Sequence, residues 1–355
     1  MNRILRSRTV AALASPHGID RYLEQLNPMW AAHEVRARIV DVHREVDVAG
    51  HPVVATLTLQ PTSTWRGHRA GQHVQVGVEV DGARRTTRVF SISSPESGPG
   101  DRFTITLRAN PAGVVSSYLA ERAQPGTMVH LSQAEGEFTL PAHVPEHVLM
   151  ISGGSGITPV MSMLRTLQRR THRGRITFLH YAQSPEHLIY AAELDEIRRS
   201  GHGIDVHLLH PELGDPNLSP AFLERLVPGY RDVPTWACGP APMVEGVRAA
   251  YDGSDALRVE YFKPPRVSTG ATGGDVTFER SGASAANSGA TLLEQAEALG
   301  LRPEFGCRMG ICFSCTSRKT EGTVRNVLTG VESSRPDEDI QICVNAPVGD
   351  CAVDL

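Results

Sequence analysis

Nowhere in its 355 residues does the chain carry an apolar run approaching the roughly 20 residues that a membrane-spanning helix needs. It also lacks an excess of positive charge. The net charge of -4 argues against nucleic acid as the main partner. Cysteine is sparse, six in a chain this long, which argues against a disulfide framework. No repeat of fixed period is present, and no His/His/carboxylate cluster has the spacing of a metal-oxygenase site. The N-terminal Met1–Arg8 stretch is basic and Thr9–Ala14 mildly apolar. The apolar part is too short for a signal peptide and is broken by Ser15-Pro16, so a cytoplasmic location is expected. What remains is a chain with 40% hydrophobic and 21% charged residues, long enough for two or three packed domains.

The densest chemical signal lies near the C-terminus. Cys307, Cys312 and Cys315 follow a C-x4-C-x2-C spacing, and Cys343 comes 27 residues later. Plant-type [2Fe–2S] ferredoxins hold their cluster with this spacing. Gly310 and Ser314 are small enough to let the loop wrap closely and turn N–H groups toward sulfide, which helps set the reduction potential. A zinc site usually draws on paired C-x2-4-C knuckles, and only one pair here has that spacing. The iron–sulfur reading therefore stands ahead of zinc and of plain buried thiols. Cys351 is left over, and four thiolate ligands suit a reducing compartment.

Residues 1–34 read as a helical extension, with Asp20 as its expected N-cap. It would either dock a partner or membrane surface or pack on its own domain. From Val35 the pattern alternates, in short runs at 35–40, 53–59, 73–80, 103–107 and 128–131, separated by turns such as Ala49-Gly50, Arg66-Gly67 and Asp81-Gly82. Such runs predict an antiparallel barrel over 35–142, interrupted by a helix at 114–123. Over 143–263 apolar strands at 147–152, 176–182, 204–209, 235–237 and 257–261 alternate with helices at 160–170 and 191–199. That predicts a doubly wound, mainly parallel sheet. Residues 264–272 have linker composition. A third unit, 273–355, opens with a strand and a helix capped by Thr291.

Two motifs in the barrel segment go together. Arg88-Val89-Phe90-Ser91 ends a polar strand, and Gly113-Val114-Val115-Ser116 opens the helix. A glycine there lets backbone N–H groups approach a phosphate, Ser116 can add a hydroxyl, and Arg88 a charge-assisted bond. The pair resembles the R-x-Y-S and G-x-x-S flavin signature of the ferredoxin–NADP reductase superfamily. The resemblance implies that Arg88 binds flavin phosphate, Phe90 packs on the isoalloxazine, and Ser91 bonds near its N5. It places Gly113, Val115 and Ser116 at the flavin. Phe90 stands where the family has tyrosine, so a hydroxyl contact is lost.

Between a buried strand and a helix lies Gly153-Gly154-Ser155-Gly156-Ile157-Thr158-Pro159, the geometry that receives pyrophosphate at a helix N-terminus. It departs from G-x-G-x-x-G and resembles instead the G-x-G-x-T-P turn of the same superfamily, with Thr158 near the nicotinamide. Cys238-Gly239-Pro240-Ala241-Pro242-Met243 resembles its C-G-P-x-x-M motif, which implies Cys238 near the hydride path and Gly239, Pro240 and Met243 shaping the nucleotide pocket. Glu260 and Phe262 resemble its E-x-aromatic ending, with Glu260 polarising the site and Phe262 covering the flavin. At the tip of the second parallel strand no carboxylate directly follows, and Ser184 is placed to meet a 2′-phosphate. NADPH is therefore preferred to NADH.

From Val35 to the end, the chain thus resembles three-domain reductases with flavin, nucleotide and β-grasp plant-type ferredoxin modules in that order. The expected circuit runs from NAD(P)H through FAD (rather than FMN) to the [2Fe–2S] cluster, because a flavin exchanges both electron pairs and single electrons. Ser91, Thr158, Cys238 and Glu260 are the expected junction, and Cys307, Cys312, Cys315 and Cys343 the cluster ligands. The 16–24 stretch looks closer to FAD reductases serving membrane di-iron desaturases or alkane hydroxylases. Such an acceptor is expected, with contact at the inner membrane face through the N-terminus. A cytochrome P450 or ring-hydroxylating dioxygenase is the alternative acceptor, and a redox-sensing protein without turnover the alternative class.

Overall fold

Alternating side chains build the first sheet. In the computed structural model, which describes residues 14, 18–80, 85–111, 113–201, 203–262, 273–306, 308, 310 and 313–355, the strands are β1 (Val35–Val46), β2 (Val54–Pro61), β3 (His73–Val78), β4 (Thr86–Ser91), β5 (Phe103–Arg108) and β6 (Met128–Leu131). They pair in the order β4-β3-β6-β1-β2-β5, with antiparallel registers. An Ile92–Ile105 bridge joins the two edges and closes the barrel. One face of each strand fills the interior: Ile39, Leu57, Val74, Val76 and Ile105 are all fully buried. Trp65 stacks on Phe103 at 4.7 Å between centroids. Each such side chain contributes about 1.5–3 kcal/mol by leaving water. The expected helix at 114–123 is instead one α-turn, α2 (Val114–Ser117), followed by a π-helical turn, Tyr118–Arg122.

Before the barrel comes α1 (Ile19–Leu26). Its N-cap is Gly18, which corrects the expectation for Asp20. Asp20 lies in the first turn, and its carboxylate accepts from the backbone N–H groups of Ala32, His33 (2.9 Å) and Glu34 (3.0 Å). Burial works to raise its pKa, but these donors hold it below the usual value. Buried Arg36 completes the clamp, pairing with Glu24 at 2.8 Å and donating to the Trp30 carbonyl at 2.6 Å. The helix therefore packs on its own barrel, leaving Tyr22, Leu26 and Trp30 exposed.

The second sheet consists of β7 (His147–Gly153), β8 (Arg175–Tyr181), β9 (Ile204–Leu209), β10 (Thr235–Gly239) and β11 (Leu257–Tyr261). Their order is β11-β10-β7-β8-β9, and the β10–β7, β7–β8 and β8–β9 pairs are parallel. Helices α3 (Ile157–Arg169), α4 (Ala191–Ser200), α5 (Pro220–Leu226) and α6 (Ala241–Tyr251) connect them. Helices α5 and α6 are additions to the two helices expected from the sequence. The chain runs outward from β7 in one direction and then returns to build β10 and β11 on the other side. That reversal leaves a crevice at the carboxyl ends of β7 and β10, where ligands bind in such sheets.

The chain divides into two units, 1–260 and 261–355. The second holds β12 (Asp275–Phe278), β13 (Ala283–Ala286), α7 (Leu292–Ala298), β14 (Thr316–Asn326), β15 (Glu332–Ser333), β16 (Glu338–Gln341) and β17 (Asn345–Asp354). The sheet order is β13-β12-β17-β14-β15, with β16 paired to β14. Thr291 caps α7 as expected, within a reciprocal capping box with Glu294. The expected linker at 264–272 and the Asp81-Gly82 turn lie outside the described residues. No helix among the described residues is long and apolar enough to cross a membrane.

Candidate functional site

Two glycine turns meet at the crevice. Ser152 and Cys238 are register partners on β7 and β10, so the 153–156 and 238–239 backbones leave the sheet side by side. A Cβ on Gly156 would fall 2.2 Å from the Cys238 carbonyl oxygen. One on Gly153 would fall 2.7 Å from the Met243 sulfur, and one on Gly239 2.5 Å from the Met243 methyl. Gly154 has φ +52° with open space beside it. Backbone packing thus dictates Gly156, the Met243 side chain crowds Gly153 and Gly239, and backbone conformation favours glycine at 154. Thr158, buried in the first turn of α3, donates to the Ser155 carbonyl at 3.1 Å and fixes the turn. Such a bare, N–H-lined turn at a helix start fits a dinucleotide pyrophosphate. Pro240 is exposed at the start of α6.

Ser184 follows the tip of β8. Its hydroxyl donates to the Glu186 carboxylate at 2.5 Å and lies 2.8 Å from His187 Nδ1. The expected 2′-phosphate donor is thus engaged by a carboxylate two residues on, a group the sequence reading did not weigh.

On the barrel, Arg88, Phe90 and Ser91 lie along β4, and the α2 start at Gly113 packs beside that strand. Arg88 is half-buried and donates to the Thr87 carbonyl at 2.7 Å. Phe90 is half-buried and packs against the barrel core. Val115 is buried in that core, so only its backbone can face a ligand. The Ser116 hydroxyl accepts from the Asn110 N–H at 3.2 Å, tightening the loop before the helix. A cationic side chain and a glycine-led helix start on one edge fit a flavin phosphate.

The two lobes of the first unit meet at Ser91. Its register partner is His73, and His73 Nδ1 is 4.0 Å from Glu260 Oε1 on β11. Burial lifts the Glu260 carboxyl to about 8 and lowers His73 to about 4. It also raises Cys238 far above an ordinary thiol, with Glu260 nearby adding to the effect. Cys238 at neutral pH is therefore a thiol, not a nucleophilic thiolate. Ser91, Cys238 and Glu260 gather at this lobe junction, while Thr158 sits at the glycine turn. His73 was missed because strand alternation sends Val74 and Val76 inward and His73 outward. Only the second lobe makes the outer face a buried place. Phe262 is half-buried and follows β11 in the second unit.

In the C-terminal unit, Cys315 and Cys343 are both buried in the core. The β14–β16 pairing brings them together: Thr316 registers with Gln341, and the Ile342 N–H donates to the Cys315 carbonyl at 3.2 Å. Gly310 has φ +73°, and a Cβ there would fall 2.9 Å from Val344, next to Cys343. Gly310 thus lies against the residue that follows Cys343, and the two buried cysteines, Cys315 and Cys343, fit two thiolate ligands of a cluster. Cys307 and Cys312 lie outside the described residues.

Comparison with known proteins follows the same division. Residues 41–140 match an oxidoreductase FAD-binding domain, 150–249 an oxidoreductase NAD-binding domain, and 276–347 a 2Fe-2S iron-sulfur cluster binding domain. The chain is 36% identical over 354 residues to an NADPH oxidoreductase of Mycobacterium tuberculosis, covering 98% of this chain and 91% of that one. It is 29% identical to a glycine betaine monooxygenase reductase subunit of Chromohalobacter salexigens, covering 81% of this chain and 87% of that one. Phthalate dioxygenase reductase shares the fold, with a TM-score of 0.59 at 22% identity over 90% of this chain and 97% of that one.

Proposed function

This chain belongs to the three-domain reductases of the ferredoxin–NADP reductase family, and we propose that it delivers electrons to the oxygenase component of a multicomponent monooxygenase or dioxygenase. It is an NAD(P)H oxidoreductase that uses FAD and a [2Fe–2S] cluster. Bound FAD supplies the conversion between a hydride pair and the single electrons that an iron–sulfur cluster carries. The observation that carries the reading is that, within one unit, the Gly153–Gly156 and Cys238-Gly239 turns lie side by side and Glu260, close to Cys238, approaches His73, the register partner of Ser91 on the barrel, at 4.0 Å.

In this reading each part of the chain has a task. Arg88 and the Gly113 helix start, with Ser116 holding its loop, bind flavin phosphate. Phe90 packs on the ring system. Gly153, Gly154, Gly156, Gly239 and Pro240 leave room for the nucleotide, with Met243 as the wall behind them. Thr158, Ser91, Cys238 and Glu260 orient nicotinamide against flavin and exclude water. Cys307, Cys312, Cys315 and Cys343 hold the cluster. The domain limits proposed are those of the sequence reading, 35–142, 143–263 and 273–355.

A monooxygenase reductase subunit among the relatives supports an oxygenase as acceptor. The desaturase or alkane hydroxylase expected from the N-terminal stretch has one supporting observation, the exposed Tyr22, Leu26 and Trp30 on a segment suited to a membrane surface. In either case a cytoplasmic site fits. Likeness to the mycobacterial relative supports NADPH as the coenzyme, and the Ser184–Glu186 contact supports NADH.

The decisive experiment is anaerobic titration with NADH and NADPH, followed by absorbance and electron paramagnetic resonance. Flavin bleaching followed by a rhombic [2Fe–2S] signal is expected. Purified protein that stays colourless after reconstitution with flavin, iron and sulfide would overturn the reading. Reduction of a purified oxygenase component, compared with a membrane desaturase, separates the two acceptors.

A further inference from the structure

Among the described residues, two unpartnered buried polar atoms face the place where the barrel meets the last strand of the parallel sheet. They are His73 Nδ1 and Glu260 Oε2. The two side chains are 5% and 13% exposed, and their closest approach is 4.0 Å. Leaving such atoms unsatisfied costs about 1–3 kcal/mol each, so the arrangement calls for an explanation.

The His73 ring is held in a built slot. Its backbone N–H and carbonyl both bond to Glu135, at 2.9 Å each. Gly136 has φ +112°, and a Cβ there would lie 2.8 Å from the ring's Nδ1 and Cε1. Only glycine leaves space for an imidazole at this position. The groups around the pair come from four directions. Ser91 stands across β4, and Glu135, its side chain exposed, precedes the Gly136 slot. Cys238 approaches from β10 and is a thiol, and Glu260 itself comes from β11. No lysine or arginine pairs with Glu260 among the described residues.

We propose that His73 and Glu260 act as one acid–imidazole pair holding a single proton between them, with His73 as the positioning residue that keeps the Glu260 carboxyl uncharged at the hydride-transfer junction. The geometry allows it: a small rotation of the carboxyl brings 4.0 Å to the roughly 2.7 Å of a hydrogen bond to Nδ1. Burial pushes the acid and the imidazole apart in the directions that favour the neutral form of each. The consequence rests on the nucleotide-oxidising reading. Hydride loss leaves a positively charged nicotinamide ring. An ionised carboxylate beside it would retain that product, whereas a neutral acid lets it go. The pair thereby sets how tightly the oxidised nucleotide is held, and makes that affinity pH-dependent.

Infrared spectroscopy of the flavin-loaded protein tests the pair directly. A C=O band of a protonated, buried carboxyl is expected at pH 7. It should vanish in Glu260→Gln, rise in frequency in His73→Leu, where the acceptor is gone, and return toward its original position in His73→Gln. Calorimetric binding of NAD+ and NADP+ tests the consequence. Affinity should tighten about tenfold from pH 7 to pH 9 in the wild type and stay flat in Glu260→Gln. Absence of a Glu260-dependent band at pH 7, or a band unmoved by His73→Leu, overturns the proposal. If His73→Leu does not fold, nitrogen resonances of labelled histidine decide: a His73 Nδ1 signal of a hydrogen-bond acceptor that changes in Glu260→Gln supports the pair, and a signal unmoved by Glu260→Gln, or an ionised carboxyl at pH 7, refutes it. A protein that binds neither nucleotide yet keeps a His73-sensitive band would refute the functional reading and leave the pair standing.

Discussion

The Tyr190 hydroxyl donates to Thr106 Oγ1 at 2.6 Å, from the start of α4 to strand β5 of the barrel. Tyr190 is buried and holds φ +61°, an uncommon conformation for a bulky residue. The Arg165 guanidinium lies over its ring at 4.5 Å, pairs with Glu193 through two bonds, and donates to the Ser93 carbonyl at 2.6 Å. Barrel and parallel sheet are thus bolted through buried Tyr190 and partly buried Arg165, with Glu193 reaching solvent. Tyr190→Phe should lower the stability of the first unit by about 1 kcal/mol. Arg165→Ala, which removes the packing on the ring and the bond to the Ser93 carbonyl while Glu193 can turn to solvent, should cost about 1–2 kcal/mol. Urea unfolding followed by tryptophan fluorescence measures both.

The glycine turns separate space from backbone conformation. Gly156→Ala places a methyl against the Cys238 carbonyl and should cost about 1–3 kcal/mol, with nucleotide affinity falling more than about tenfold. Gly154→Ala meets nothing, and only its left-handed backbone resists, at about 1 kcal/mol. Fluorescence-monitored nucleotide binding should rank them in that order.

Stability should depend on pH through Glu260. Its folded pKa of about 8 is raised from an ordinary 4.5, so its contribution is full below 4.5 and is lost as pH rises toward 8. His73 works in the opposite direction: its folded value of about 4 lies below an ordinary 6.5, so its contribution is lost as pH falls through that window. Between pH 6.5 and 8 only the Glu260 effect remains. The wild type should lose roughly 1.4 kcal/mol per pH unit there from this group, and Glu260→Gln should abolish that slope in urea unfolding at the two pH values.

Cys343→Ser should remove the visible absorbance and resonance signal of the cluster while the flavin still accepts hydride from nucleotide. Cys343 and its partner Cys315 lie in the second unit, and the glycine turns in the first. Loss of hydride uptake in a folded variant would contradict that separation.

In the second unit, fully buried Lys319 donates to the Gly322 carbonyl at 2.9 Å and to that of Arg335. Lys319→Met would leave both acceptors without this donor. A loss of about 2 kcal/mol is expected, with faster amide exchange around Asp337, whose N–H bonds to Thr320.

Composition and spacing alone determined much about this protein. Alternation marked the barrel strands, the change to strand-and-helix alternation marked the parallel sheet, and the cysteine and glycine spacings named three chemistries. These are local signals, carried by neighbours along the chain. Helices α5 and α6 were not expected from the sequence, although each opens with proline in its first turn, where proline is well placed. Asp20 read as a cap because its true partners, the 32–34 amides, lie beyond a turn of chain that no window covers. Tertiary structure decided the rest. It turned the outer face of β3 into an interior, set His73 against Glu260, and gave Ser184 to Glu186. Whether a polar side chain is solvated or buried depends on what the distant chain places over it, and burial, not residue type, fixes the charge such a group carries.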